Sequence, residues 1–228
     1  MSRTLKVVRM QLINKNTYVW IPLIILTGAF VLSLAVYAII PSDGIKLGGG
    51  AQAPLWYFLV VGVQALTLTF PFSQAMSVTR REFFLGTYLT AAITAAILSA
   101  VFVVGGIIEN ATEGWGMNGW FFSIGWVGQN GPLGAFVFHF LLAMLFFSIG
   151  FWSATIYKRF GPLWLTVTLT GIGLLLVGVL WIIGRADAWG EVFTWLSAQG
   201  LMGLGVWSLV LIVVLAVTSF IPLRRATP

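Results

Sequence analysis

The chain has 228 residues, of which 59% are hydrophobic and only 8% are charged. A soluble domain normally carries about 25% charged residues, so 12 basic and 6 acidic side chains are too few to cover this chain in water. The composition therefore predicts an integral membrane protein. The net charge of +6 does not predict nucleic-acid binding, because it is spread over small clusters between apolar runs.

The first 17 residues are basic and precede the first apolar run. Leu5, Val8 and Leu12 fall on roughly one side of a helix. We predict a short amphipathic helix at residues 1–17 that lies on the membrane surface. The alternative is a solvated basic tail that only sets the topology.

Six windows free of charged residues follow, each long enough to cross a bilayer, which takes about 20 apolar residues. They lie at about 18–40, 55–77, 85–108, 133–156, 161–184 and 204–222. The sequence therefore predicts an all-α integral membrane protein with six transmembrane helices, and one transmembrane domain that spans residues 1–228.

The charges flanking these windows predict the orientation. Ten of the 12 basic residues fall on one side of a six-span arrangement, and five of the 6 acidic residues fall on the other. The ten are Arg3, Lys6, Arg9, Lys15, Arg80, Arg81, Lys158, Arg159, Arg224 and Arg225. Because basic residues accumulate on the cytoplasmic side, we predict that both the N and C termini are cytoplasmic.

This arrangement places three loops outside, the two longer of which lie at 109–132 and 185–203. A seventh span around 117–132 is the alternative, but that stretch is short, broken by glycines, and would put the last basic clusters outside. We therefore predict an external loop whose Trp115, Trp120 and Trp126 lie at the membrane interface, where aromatic rings are enriched.

The second window contains two glutamines and a proline. Pro71 breaks the helical hydrogen-bond ladder, and such breaks are tolerated where protein or a cavity satisfies the freed groups. We therefore predict that this helix is buried in protein. Gln64 and Gln74 are candidate pathway-lining residues; they could equally form hydrogen bonds between helices.

Small residues mark two further helices as packing faces. Alanines recur through the third window, and Gly171, Gly173 and Gly178 lie in the fifth. Small residues let helices approach closely. We expect this to serve packing inside the chain, with a dimer contact as the alternative.

Most catalytic and metal-binding chemistry is missing. The chain has no cysteine and one histidine, and the predicted spans hold no acidic residue. There is no Gly-Lys dipeptide, so the chain has no conventional phosphate-binding loop of an ATPase. We expect no enzyme activity, no metal and no cofactor on this chain. His139, within the fourth window, is expected to be a neutral imidazole bonded to a neighbouring helix; the alternative is a functional group inside the membrane.

One short segment resembles a known family. Residues 77–86 read Ser77-Val78-Thr79-Arg80-Arg81-Glu82-Phe83-Phe84-Leu85-Gly86. This segment, together with the basic amphipathic N-terminus leading into the first span, resembles the permease subunits of the bacterial type-2 ABC exporter superfamily. The resemblance covers the topology of the whole chain, although its sequence motif is about ten residues long.

The resemblance implies partners and a site. Residues 78–86 would be the coupling segment, with Arg80, Arg81, Glu82 and Phe83 contacting a separate nucleotide-binding subunit that binds ATP and Mg²⁺. A second copy of the chain would complete the transporter in the bacterial cytoplasmic membrane, and the segment between spans five and six would dip back into the membrane. The uncharged, aromatic spans suit an amphipathic or lipid-like cargo.

Two other classes of function are open. One is a non-transport membrane scaffold or an immunity protein against a membrane-active toxin, which would work without ATP. The other is a membrane enzyme, which would need carboxylates, histidine pairs or an activated nucleophile within the spans. Co-purification with an ATPase separates the exporter from both.

Overall fold

The computed structural model describes residues 3–41, 44–123 and 131–223, and these residues are almost entirely helical. The α-helices are α1 (Arg3–Ile13), α2 (Ile21–Ile39), α3 (Ala53–Gln64), α4 (Phe70–Ala75), α5 (Arg80–Ala111), α6 (Gly131–Phe160), α7 (Pro162–Arg185) and α8 (Trp189–Leu223). A 3₁₀ turn lies at Gly49–Gln52, and wide π-type turns lie at Asn16–Trp20, Ala65–Thr69 and Gly114–Asn118. Two short strands, β1 (Lys46–Leu47) and β2 (Gly119–Trp120), pair in parallel.

Six helical stretches of the described chain are long and apolar enough to cross a membrane, which confirms the predicted multi-pass architecture. In chain order they are span one (Asn16–Ile39), span two (Gly49–Ala75), span three (Arg80–Ala111), span four (Gly131–Phe160), span five (Pro162–Arg185) and span six (Gly203–Leu223). The predicted windows agree with these bounds to within four residues, except that span two begins at Gly49 rather than near residue 55 and span three begins at Arg80 rather than near residue 85. The end of the bundle that carries Arg80 is called the Arg80 end below, and the opposite end the Glu109 end.

The alternative of a seventh span receives no support from the described part of 117–132. Gly119 and Trp120 form β2 and pair with Lys46 and Leu47, so this backbone is extended rather than helical. Residues 124–130, including Trp126, lie outside the described residues, so the interfacial position of Trp126 stays a prediction.

Span two is broken beside its proline. The π-type turn at Ala65–Thr69 separates α3 from α4, and Pro71 stands in the first turn of α4. Proline has no N–H to donate, so the wider turn accommodates a backbone that cannot continue the regular ladder. In span two 39% of the apolar window is buried, against 11% in span one, but Trp56, Leu68 and Phe72 are exposed. The predicted burial of this helix therefore holds for only part of its surface.

Spans two and four cross at a pair of glycines. A Cβ atom on Gly62 would collide with the carbonyl oxygen of Phe147, and a Cβ atom on Gly150 would collide with the carbonyl oxygen of Leu59. The two backbones touch directly there, which is the close approach that small residues permit between membrane helices. Spans three and six pack on the remaining sides of span four.

Span five lies at the edge of the described bundle. None of its residues is buried within the described chain, and a Cβ atom on Gly171, Gly173 or Gly178 would have no neighbour within 4 Å. The expectation that these glycines serve packing inside the chain is therefore wrong. A helix that follows a short turn at Gly161 contacts mainly its predecessor, span four, and leaves its glycine face open.

The chain folds back on itself between spans five and six. Gly200 has φ +56° and ψ −167°, which interrupts α8. The rings of Trp195 and Trp207, on either side of this break, lie 6.2 Å apart. Twelve residues of straight helix would separate them by about 18 Å, so the segment Trp189–Gln199 bends back toward the start of span six. Whether this segment dips back into the membrane, as the family resemblance implies, stays a prediction.

Candidate functional site

The turn that leads into span three is held by its own side chains. The backbone N–H of Val78 donates to the carbonyl oxygen of Ser73 at 3.1 Å, and Gln74 Nε2 donates to the carbonyl oxygen of Val78 at 3.1 Å. Gln74 therefore has a local structural role at this turn. Gln64 lies half-buried at the end of α3, ten residues away, so the two glutamines do not form one polar surface.

Glu82 caps helix α5. Its carboxylate accepts the backbone N–H of Thr79 at 3.0 Å, while Thr79 Oγ1 accepts the backbone N–H of Glu82 at 3.3 Å. This reciprocal pair is a capping box, which satisfies two backbone donors at a helix start. It explains why the helix begins at Arg80, five residues before the start predicted from hydrophobicity.

Arg80 and Arg81 point to different surroundings. The guanidinium of Arg80 donates to the carbonyl oxygen of Leu223, the last residue of α8, at 3.3 Å. Arg81 is exposed and stands at the rim of an open groove of about 410 Å³ between spans three and six. Arg80 thus ties the ends of two spans together, whereas Arg81 is presented outward.

Phe83, in contrast, is completely buried within the described chain. Its ring packs edge-on against Phe70 of α4, with centroids 5.1 Å apart. A side chain in this position cannot reach a partner, so we assign Phe83 to the core and not to the contact surface. Phe83 follows Glu82 in the sequence, but successive side chains of a helix point about 100° apart. Phe83 therefore faces the core although its neighbour in sequence does not.

Helix α1 packs on the first turns of α5. A Cβ atom on Gly86 would lie 2.6 Å from Cβ of Val7, so the two helices approach most closely at this glycine. One turn further along α1, Gln11 Nε2 donates to Thr87 Oγ1 at 2.8 Å, and both side chains are buried. The buried face of α1 consists of Val7, Val8 and Gln11.

The predicted apolar side of α1 is divided between two surroundings. Val8 is buried within the described chain, whereas Leu5 is 43% exposed. Gly86 brings Val7 rather than Leu5 into contact with α5, and the position of α1 on the membrane surface stays a prediction. The buried glutamine was not identified from the sequence, since a polar residue among basic neighbours is typical of an exposed face.

A second groove separates α1 from the turn before span three. It has a volume of about 420 Å³ and is lined by Arg3, Lys6, Val7, Met10, Met76, Ser77, Val78 and Glu82. Arg3 is the nearest cation to Glu82, at 4.0 Å, with 71% of its side chain exposed. An exposed ion pair of this length contributes little to stability, so Glu82 is fixed mainly by its capping bonds.

Three hydroxyl groups meet where spans three, four and six pack together. The hydroxyl of Tyr88 neighbours those of Ser148 and Ser219, although none forms a bond of good geometry with it in the described chain. The serines donate instead to the carbonyl oxygens of Met144 and Leu215 on their own helices. The ring of Phe84 bridges this region to Phe220 of span six, with centroids 5.0 Å apart.

At the Glu109 end, a buried carboxylate organises the loop after span three. Glu109 is fully buried and accepts the indole N–H of Trp115 at 2.9 Å. It also accepts the backbone N–H groups of Phe121, Phe122 and Ser123 at 2.6–3.2 Å. From the sequence, Glu109 is predicted only to be one of the five acidic residues on the external side.

The same loop is tied to the rest of this end. Tyr37 donates its hydroxyl to the carbonyl oxygen of Trp120 at 3.0 Å, and Lys46 Nζ donates to the carbonyl oxygen of Tyr37 at 2.8 Å. Phe30 of span one packs against the rings of Trp115, Phe121 and Phe122. Residues 109–123 thus form a compact cap with β1.

His139 lies in span four and is bonded within its own helix. Nδ1 is 2.8 Å from the carbonyl oxygen of Ala135, and the ring stacks on Phe102 of span three with centroids 4.2 Å apart. The predicted hydrogen bond to a neighbouring helix is therefore wrong, because a stacking contact takes its place. Within residues 3–41, 44–123 and 131–223, no three metal-ligating side chains lie close enough together to hold an ion.

Comparisons with known proteins give no relative: no family model, no curated protein and no solved structure matches this chain.

Proposed function

We propose that this chain is the membrane subunit of an ATP-driven ABC-type exporter in the bacterial cytoplasmic membrane, with ATP and Mg²⁺ bound by a separate nucleotide-binding subunit. One observation carries the proposal. At the Arg80 end, the segment 78–86 contacts helix α1, span two and span six at once, through Val7–Gly86, Phe70–Phe83 and Arg80–Leu223.

This junction suits the transmission of movement from an outside partner. Arg81 is exposed at the start of α5. A subunit that bound Arg81 would displace a helix whose first turns are packed against three other elements. Phe84 extends the connection to Phe220 of span six. Displacement of the 78–86 segment would therefore move several spans together rather than one loop.

A second copy of the chain is part of the proposal. Span five has no buried residue within the described chain, and its glycines face open space. Glycines on a helix face permit close approach of another membrane helix. We propose that a homodimer bound to two ATPase subunits is the working assembly, and that both chain termini are cytoplasmic.

The proposed cargo is amphipathic or lipid-like. The groove between spans three and six is lined by Phe84, Leu85, Val217 and other apolar side chains, with Arg81 at its rim. Such a lining offers contact to an apolar chain and one cation to a polar head. Gln64 remains a candidate pathway-lining residue, whereas the side chain of Gln74 is hydrogen-bonded to the carbonyl oxygen of Val78.

The deciding experiment is purification of the tagged chain from its native membrane in mild detergent, with identification and mass measurement of the intact complex. We expect an ATPase subunit and two copies of this chain. A chain that acts alone, with no bound ATPase, would overturn the exporter and favour the scaffold or immunity function.

Glu82→Gln is the sharpest variant for coupling. Glutamine also serves at the third position of a capping box, so the helix start is kept while the charge is removed. We expect weaker ATPase association or ATP hydrolysis uncoupled from transport, and the same from Arg81→Gln. Glu113→Gln, in the loop at the Glu109 end, is the matched control. Wild-type coupling in both test variants would refute the assigned contact.

Topology is tested separately from coupling. The chain has no cysteine, so single cysteines at Thr79 and Thr112, both exposed, can be labelled without background. We expect that an impermeant thiol reagent labels Thr112→Cys and not Thr79→Cys in intact cells. The reverse pattern would invert the proposed orientation.

A further inference from the structure

The outward face of α1 carries basic side chains on an apolar surface. Lys6, Arg9 and Ile13 are all exposed and lie opposite the buried Val7 and Gln11, since residues three and four apart share a helix face. Arg3 and Lys15 extend the basic character at the two ends. No acidic residue occurs between residues 3 and 15.

The apolar part of this face continues onto span one. Leu5 is exposed beside Arg9, and Ile13 is 76% exposed. Trp20, Ile21 and Ile24, at the start of span one, are exposed as well. In a membrane protein this strip is lipid-facing on span one, so α1 lies at the boundary where lipid headgroups begin.

The level of α1 follows from its contact with span three. It packs on Gly86 and Thr87, about 9–10 Å along the helix from Arg80. The charge-free window of span three begins at about residue 85, so α1 lies level with the start of the apolar part of that span. Long basic side chains at this depth extend toward the headgroups while their stems cover apolar surface.

We propose that α1, together with the groove between α1 and the turn at 76–79, is a binding site for the headgroup of an anionic phospholipid. The groove is lined by the basic side chains of Arg3 and Lys6 and by the apolar side chains of Val7, Met10, Met76 and Val78. A phospholipid matches both parts, because it joins a phosphate to apolar chains. A free phosphate ion would use only the basic side chains.

Glu82 also lines this groove, and its charge opposes an anion. Its carboxylate is already engaged by the backbone N–H of Thr79 and lies 4.0 Å from Arg3. The remaining cations, Lys6 in the groove and Arg9 on the adjoining face, give the site its net positive charge. Clusters of basic residues on a helix next to a membrane span attract anionic lipids by about fivefold in affinity for each residue.

The test uses a fluorophore on a single cysteine, Ile13→Cys, in vesicles of low ionic strength. Vesicles contain equal mole fractions of brominated phosphatidylglycerol or brominated phosphatidylcholine as quencher. We expect stronger quenching by the phosphatidylglycerol, and we expect Lys6→Gln/Arg9→Gln to reduce that preference at least fivefold. A label at Leu32→Cys, exposed on span one, gives the quenching due to general lipid contact.

The matched control is Lys158→Gln/Arg159→Gln, which removes two basic residues predicted to face the same side but far from α1 in sequence. It should keep the preference. Labelling at Thr79→Cys checks that neither variant is inverted, and elution as a single species checks folding. None of these measurements depends on an ATPase partner.

Four results would overturn the proposal. Equal quenching by the two lipids would show no anionic selectivity, and a preference that survives Lys6→Gln/Arg9→Gln would place its origin elsewhere. Loss of the preference on addition of inorganic phosphate, with ionic strength held constant, would identify a simple anion site. Loss on addition of polyglutamate but not of phosphate would identify the face as a docking surface for an acidic protein.

Discussion

Replacing Glu109 by glutamine removes half of the acceptors that hold the cap. In the native loop, one carboxylate oxygen accepts from Phe122 at 2.9 Å and from Ser123 at 2.6 Å. The other oxygen accepts from Trp115 and Phe121. Glutamine keeps a single acceptor oxygen, and its NH₂ group cannot accept. Phe122 bonds to both carboxylate oxygens, so Glu109→Gln sets either the N–H of Ser123 or the N–H groups of Trp115 and Phe121 against a donor.

The cost follows from the number of donors that lose their acceptor. A buried donor left without a partner costs about 1–3 kcal/mol, so one or two such donors cost roughly 1–6 kcal/mol in the free energy of local opening. At 1.4 kcal/mol for each tenfold change, amide exchange in the cap should accelerate by about 5-fold to 10⁴-fold. The spans themselves do not depend on these bonds, so their exchange should stay slow.

Hydrogen–deuterium exchange read by mass spectrometry measures this directly, because the affected amides are those of residues 119–123. Glu113→Gln is the matched control: Glu113 is exposed and lies four residues further along the same loop, so its exchange should match the wild type. Unchanged protection of residues 119–123 in Glu109→Gln would refute the view that this carboxylate organises the cap.

Two further predictions concern packing inside the bundle. Gly150→Ala should lower the free energy of unfolding by about 1–3 kcal/mol, the usual cost of overpacking, because its methyl group would collide with the span two backbone. Thermal unfolding in detergent checks this, and Gly28→Ala, which has open space around its Cβ position, should not be destabilising. Thr87→Val should destabilise the chain by about 1–3 kcal/mol because Gln11 Nε2 loses its acceptor. Adding Gln11→Met should recover most of that loss, since it also removes an oxygen with no partner in the described chain. Additive losses of stability in the double variant would contradict this account.

The six spans were predictable because hydrophobicity is a property of each residue alone. The start of span three at Arg80 was also readable, since Thr79 and Glu82 have the spacing of a capping box; charge-free windows ignore that signal and place the start five residues late. The resemblance to ABC permeases, the coupling contacts and the homodimer stay predictions.

The cap and the glycine contacts could not be predicted from a single sequence. Strand β1 pairs with a segment 73 residues away, and two-residue strands have no alternating pattern to read. Gly150 and Gly173 are the same residue type in apolar helices, yet one touches a backbone and the other faces open space. Which glycine finds a partner depends on how the helices are arranged, which local sequence does not encode.

The contact between Gly62 and Gly150 is a pivot point between spans two and four. Gly62 stands midway between Gly49 and Ala75, so each arm of span two is about 20 Å long. Because the backbones touch there without intervening side chains, sliding one span along the other would force them apart, whereas rocking about the crossing point would not. Each 10° of rocking swings the two ends of span two by roughly 3 Å in opposite directions, so a closing movement at the Arg80 end becomes an opening movement at the Glu109 end.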